Sequence, residues 1–180
     1  HLHRRVDGGH VVLAGLTIVN EANGGVLADG AELVVQDLLL SGLVADNGAG
    51  IWAIDSDLVA YQVRSRASEG YWGTAIYAQD STATIVGADV EGNLGRRGGA
   101  GVYALRSTVE VRRSRFASNS STHLVGSAVH GEESELTVVG SLFEGNSGVS
   151  GAAAGNVSGV LTLHASTFRD NSASSAGTVY

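Results

Sequence analysis

The sequence contains no cysteine, no proline, no methionine and no lysine; every one of its 11 cationic side chains other than histidine is an arginine. Without cysteine there is neither a disulfide framework nor a thiolate metal site, although an oxidising compartment stays permitted. No apolar run approaches the roughly 20 residues of a spanning helix, which excludes membrane insertion by such a segment. The formal net charge of -7 argues against nucleic acid or an anionic membrane surface as the main partner, because both attract basic patches. The chain opens on His1 with neither an initiator methionine nor a signal peptide, as expected of a processed product or an excerpt of something longer. Phosphate-binding glycine loops, nucleophile elbows and HExxH helices are missing as well.

What is present is size, apolar content and repetition. At 180 residues and 43% hydrophobic, the chain is long and apolar enough for one ordered domain or a piece of one. Glycine-rich starts recur as "GGVLADG" at 24, "GAGIWA" at 48, "GTAIYA" at 73, "GAGVYA" at 99, "GSAVHG" at 126, "GAAAG" at 151 and "GTVY" at 177. The interval of roughly 25 residues is that of a solenoid or array. Coils are expected to begin near 9, 24, 48, 73, 98, 125, 151 and 177, with residues 1–8 irregular, all within a single domain over 1–180. The coils 98–124 and 125–150 are expected to be the longest, through "NSSTHLVG" and "NSGVSG".

Between the starts the pattern alternates with period two, apolar then polar, which is a strand signal. One apolar column holds Leu33, Leu58, Ala83, Val109, Leu136 and Leu161; two residues on come Val35, Ala60, Ile85, Val111, Val138 and Leu163. No segment sustains a helical period with caps, so almost no helix is expected. Each repeat then closes on small-x-Phe-x-x-Asn: "SRFASN", "SLFEGN" and "STFRDN", with a weaker copy in "ADVEGN". A unit this short cannot bury its apolar face alone, but stacked units can. The expectation is an all-β, right-handed parallel β-helix of about seven coils with roughly 25 residues per coil. In it Phe116, Phe143 and Phe168 form an aromatic ladder. Asn93, Asn119, Asn146 and Asn171 form an amide ladder at a corner, where asparagine tolerates left-handed backbone. Dense leucine-rich spacing, the longer propeller period and the calcium-binding nonapeptide are all missing.

The pairing of Gly98-Gly99-Ala100 and Val102 with three FxxN motifs resembles the GGA-aliphatic and FxxN repeats of polymorphic outer membrane proteins. The resemblance is strongest over 73–180. It implies the architecture of autotransporter passenger domains, right-handed β-helices on the cell surface, and hence an extracellular, surface or matrix setting.

Two columns are candidates for chemistry. Trp52, Tyr77, Tyr103 and His130 follow the inward aliphatic residue of each start, with Tyr180 resuming the column, so alternation places them outside. An exposed aromatic row on a flat face suits stacking on polysaccharide; the alternative is a surface ladder that stabilises its own neighbours. Beside it run Asp55, Asp80, Arg106 and Glu133. Asp55 and Asp80 on adjacent coils are candidates for an acid–nucleophile pair. The alternative is a surface ion-pair row in which Arg106 bridges Asp80 and Glu133. Arg112, Arg113 and Arg115 are close together but follow no acidic groove, and His1, His3, His10 and His164 form no metal set. Asn119 and Asn156 head NxS sequons.

From residues alone, the favoured function is a non-enzymatic extracellular structural or adhesive solenoid, without cofactor. Its partners are a further copy of itself, end to end, or a continuation of the same polypeptide. The second reading is a carbohydrate-active β-helix that binds or cleaves polysaccharide along the aromatic face.

Overall fold

The alternating segments pair as expected, and only with their counterparts one repeat away. The structure is a computed structural model that describes residues 4–123, 126 and 128–179. It is all β: every described strand lies in one of four parallel sheets, three of seven strands and one of six. The coil from Ile76 shows the plan. Ile76–Gln79 lies in the first sheet, Thr82–Val86 in the second, Asp89–Glu91 in the third and Leu94–Gly98 in the fourth. The chain then returns to the first sheet as Val102–Leu105, one level along the stack. Equivalent residues are 22 positions apart between the first two coils and 25 to 27 apart in the rest of the stack.

Two expectations about the coils need correction. Arg4–Asp7 is already a strand, paired with Val26–Asp29, so the stack takes in residues expected to be irregular. The coil bearing "NSGVSG" is not a long one, since Val129 is in register with Ala154. Extra length falls elsewhere, always where the fourth sheet turns into the first. A bulge at Arg96–Arg97 adds one residue, and the following coil adds another after Ser121. The strands of the first three sheets and the other three corners keep constant length, because a residue inserted there would reverse every inward and outward side chain.

Alternation fills the interior. Leu33, Val35, Leu58, Ala60, Ile85, Val111 and Val138 are completely or almost completely buried. On the third sheet the Phe116 and Phe143 rings stack at 5.1 Å and 7°, and Phe143 and Phe168 at 4.9 Å and 9°. At each end the matching residues Val11, Leu13, Leu161, Leu163 and Phe168 are only partly covered.

Three corners per coil are made the same way. One residue takes left-handed backbone, and the next turns its side chain inward. The left-handed positions include Asp55, Asp80, Arg106 and Glu133 at the first corner, Asp37, Gln62 and Arg113 at the second, and Ala67 and Ser118 at the third. For non-glycine residues this conformation costs about 1–2 kcal/mol each. Of the inward residues, Leu38 and Val63 at the second corner are fully buried in the core. Where the inward residue is serine or asparagine, it offsets the cost by hydrogen bonding to the coils on both sides. Asn93, Asn119, Asn146 and Asn171 are these inward residues, so the left-handed position is the residue before each asparagine, not the asparagine as expected. Each Oδ1 accepts a backbone N–H of the preceding coil, and each Nδ2 donates to a backbone carbonyl of that same coil.

Serine does the same work at the other two corners. At the first, Ser56, Ser81, Ser107 and Ser134 each accept the N–H of the preceding coil at 3.0–3.1 Å and donate to the carbonyl two residues back. At the second, Ser114, Ser141 and Ser166 repeat the arrangement. Buried backbone groups at a corner lack the ladder partners of a strand, and these side chains supply them.

Candidate functional site

The aromatic column forms as expected, but it is not an exposed face. Trp52, Tyr77, Tyr103 and His130 are in register on the outer side of the first sheet. Successive rings lie 5.9, 5.5 and 5.5 Å apart. Yet Tyr77, Tyr103 and His130 are 5%, 3% and 1% exposed. The cause is the turn out of the fourth sheet, which folds back over the outside of the first. Trp72 sets its ring 4.7 Å from Tyr103. The turn's backbone runs so close that a Cβ at Gly73 or Gly99 would lie 2.6 Å or 2.7 Å from that of Tyr77 or Tyr103. The row is therefore a second, smaller core. Its two tyrosine hydroxyls find partners locally: that of Tyr103 donates to Glu132 at 2.6 Å and that of Tyr77 to Gln79 at 3.4 Å. Burial raises the Tyr77 pKa and pushes His130 down to about 4, so that imidazole is neutral at ordinary pH.

The cover is incomplete at one end. Trp52 is half-buried, and there the row opens into a groove of about 750 Å³ between the first and fourth sheets. Leu27, Trp52 and Ile54 line it from the first sheet, and Val44, Asp46 and Tyr71 from the fourth. Two ion pairs stand on its sides: Arg5 with Asp29 at 3.0 Å, and Arg96 with Glu69. Beside it is the bulge, where Arg96 and Arg97 oppose the single residue Tyr71. Their guanidinium carbons lie 6.0 and 5.9 Å from the Tyr71 ring centre, within cation–π range.

The charged column is a corner feature. Asp55 and Asp80 line one shallow depression together with Glu32 and Asp57. Arg106 grips both oxygens of Asp80 at 2.7 Å, and these hydrogen bonds hold its carboxyl below the usual range. A catalytic acid beside a nucleophile needs its pKa raised instead. Glu133 influences Arg106 through space, but among the described residues no ion pair joins the two.

Sequence reasoning passed over a longer network on the third sheet. Arg66 pairs with Asp89 at 2.9 Å; Arg115 joins Asp89 at 3.0 Å, Glu91 at 3.4 Å and Glu144 at 2.8 Å; Arg169 also binds Glu144. Hydrogen bonds from Arg169 and then Arg115 hold the Glu144 carboxyl low. Alternating charge at equivalent repeat positions was the available signal.

Of the histidines, His10 approaches Glu32 at 3.2 Å and His164 is exposed. His1, His3 and Tyr180 lie outside the described residues. Among the described residues no group of three or more potential ligands could hold a metal ion, and no helix is long and apolar enough to cross a membrane. Asn119 is fully buried with its amide committed to Val90 and Asn146, so the folded chain leaves that sequon no free nitrogen. The Asn156 amide donates to Ser134 at 2.8 Å.

No protein-family model matches this chain, nor does any curated protein or solved structure.

Proposed function

We propose that the chain is a structural segment of an extracellular or cell-surface solenoid, a stiff non-enzymatic rod with an adhesive or matrix role. The observation that carries this reading is the set of three corner ladders. Through the middle and later coils each inward serine or asparagine accepts an N–H from the coil before it and donates its own N–H to the matching oxygen of the coil after, so one coil's edge is complementary to the next. The partly covered Val11, Leu13, Leu161, Leu163 and Phe168 provide surfaces on which further coils of like geometry fit, from the same polypeptide or from a second copy. A head-to-tail contact of this kind does not close, and it produces filaments. The resemblance of the GGA-aliphatic and FxxN motifs to passenger domains of polymorphic outer membrane proteins supports the extracellular setting. The ion-paired Asp80 and the short, even corners favour structure over catalysis.

Sedimentation velocity and electron microscopy of the isolated chain test this. Concentration-dependent rods one solenoid wide are expected. A compact monomer at millimolar concentration removes the end-to-end version, and turnover of any substrate in a polysaccharide hydrolase and lyase screen removes the non-enzymatic one.

A further inference from the structure

We infer that the groove between the first and fourth sheets is a binding site for a neutral saccharide chain, seated against Trp52 and Tyr71. This inference does not depend on the solenoid's structural role, and its failure would leave that role intact.

Three features converge on the groove. The first is where the repeat is broken. Among the described strand pairs of four-sheet register, the shift between Gly70 and Trp72 is confined to the strand that walls this groove. Bulges of this kind re-aim side chains and concentrate beside sites. Here the bulge sets two consecutive arginines against Tyr71. A stack made only for extension gains nothing from that insertion, and the other three corners admit none.

The second is the surface. Deeper in the stack the aromatic row is roofed over, yet Trp52 is half-buried and Tyr71 is 39% exposed. Leu27 and Ile54 extend the floor on either side of Trp52. A concave apolar floor with a few convergent polar groups is the usual form of a small-ligand site. Aromatic rings offer flat apolar area at low entropic cost.

The third is the balance of charge, which selects among ligands. Arg5 is paired with Asp29 and Arg96 with Glu69 on the groove's sides, Asp46 also lines it, and Arg97 lies beside Tyr71 next to it. No positive field is available to hold an anionic polymer. Carboxylates accept and guanidinium groups donate, so a ligand that uses both without carrying charge is rich in hydroxyls. A peptide added as an extra strand is disfavoured, because the strands flanking the groove, Ile51–Ile54 and Glu69–Trp72, are hydrogen-bonded to neighbours on both sides. Flat rings for the apolar faces of pyranoses, with mixed donors and acceptors around them, fit a saccharide.

The test uses the intact chain with cellohexaose, xylohexaose, mannohexaose and chitohexaose as neutral probes and an oligogalacturonide as the acidic one. Binding is read by titration calorimetry and by tryptophan emission, to which only Trp52 and Trp72 contribute. At least one neutral hexasaccharide is expected to bind and shift the emission. Tyr71→Ala is expected to weaken it tenfold or more with an unchanged melting temperature. Tyr61→Ala, which removes an exposed aromatic on the second sheet, should leave affinity within twofold. Absence of binding by all four neutral probes overturns the inference. So does binding of the oligogalacturonide alone, or an equal loss from Tyr61→Ala and Tyr71→Ala.

Discussion

Asn119 and Asn146 share a single oxygen. The backbone N–H of Asn119 and its side-chain Nδ2 both donate to Oδ1 of Asn146 at 3.0 Å, while Asn146 Nδ2 turns back to the carbonyl of Phe116 at 3.0 Å. Asn146 thus satisfies two donors and one acceptor in a place water cannot reach. Its removal should cost far more than its size suggests. Asn146→Ala leaves those groups unpaired, at about 1–3 kcal/mol each. Thr137→Ala, on the outer side of the second sheet, should change stability by no more than about 0.5 kcal/mol. Urea and thermal melts of the two variants make the comparison, and equal midpoints would remove the amide ladder from the account.

The serine corners make a parallel prediction. Ser107 accepts from Ser81 N–H at 3.1 Å and donates to Leu105 carbonyl at 2.8 Å. Ser107→Ala should cost about 1–3 kcal/mol by orphaning the Ser81 N–H, the Leu105 carbonyl keeping the N–H of Asp80 at 3.0 Å, although alanine is no larger and no less apolar. A neutral result in chemical denaturation would reduce the serine columns to ordinary turn residues.

Because Tyr103 belongs to a second core, truncating it should destabilise the fold. Tyr103→Ala should cost about 3–5 kcal/mol, the range for large-to-small changes at buried aromatic positions. Tyr61→Ala, at an exposed site on another sheet, should cost little. Differential scanning calorimetry separates the outcomes, and similar midpoints for both variants would restore the exposed-face reading.

His130 gives the stack an acid sensitivity of definite sign. Its pKa is depressed by burial to about 4, against 6.5 in the unfolded chain. Above 6.5 both states are neutral and the residue costs nothing. Between 6.5 and 4 the unfolded chain takes up a proton that the folded one refuses, so stability falls as pH falls, by about 3 kcal/mol in total. Tyr103 stacks on the ring, and Tyr103 in turn bonds Glu132, so these are the titratable groups facing it. Asp80, Asp89 and Glu144, whose pKa values are lowered, contribute their own loss at more acid pH. Urea unfolding of wild type and His130→Phe at pH 7, 5.5 and 4.5 isolates the histidine. The gap between the two proteins should move toward the variant on acidification, and a constant gap would contradict the assignment.

The stacked fold was legible because its strongest interactions join like to like. Phe116 meets Phe143 and Asn119 meets Asn146, so the spacing of identical letters is also the spacing of contacts. Leu58 and Ala83 follow from alternation alone. The serine columns stood in the same strings, as the "S" of "STATIV" and "STVEVR", but serine is common in turns for many reasons and drew no separate reading. The fate of Tyr77 was illegible in principle. Alternation tells which side of its own sheet a residue faces, not whether another sheet folds across that side. The bulge at Arg96–Arg97 was hidden for a related reason: one added residue within a variable corner shows only when Trp72 is seen opposite Gly98. Without it, the groove beside Trp52 has no sequence signature.

The corner ladders also bear on how such a chain changes over generations. Since Ser81 receives from Ser56 what it passes to Ser107, one coil can be copied in frame or deleted and the neighbours meet the same chemistry as before. A duplication of about 25 codons lengthens the rod without requiring compensating substitutions. Reach is therefore a trait selection can tune by recombination alone. An inward serine or asparagine is paired with a coil on either side, so a change there is tolerated where the acceptor oxygen is kept, as between Ser68 and Asn93, where the Ser68 N–H donates to Asn93 Oδ1 at 3.0 Å.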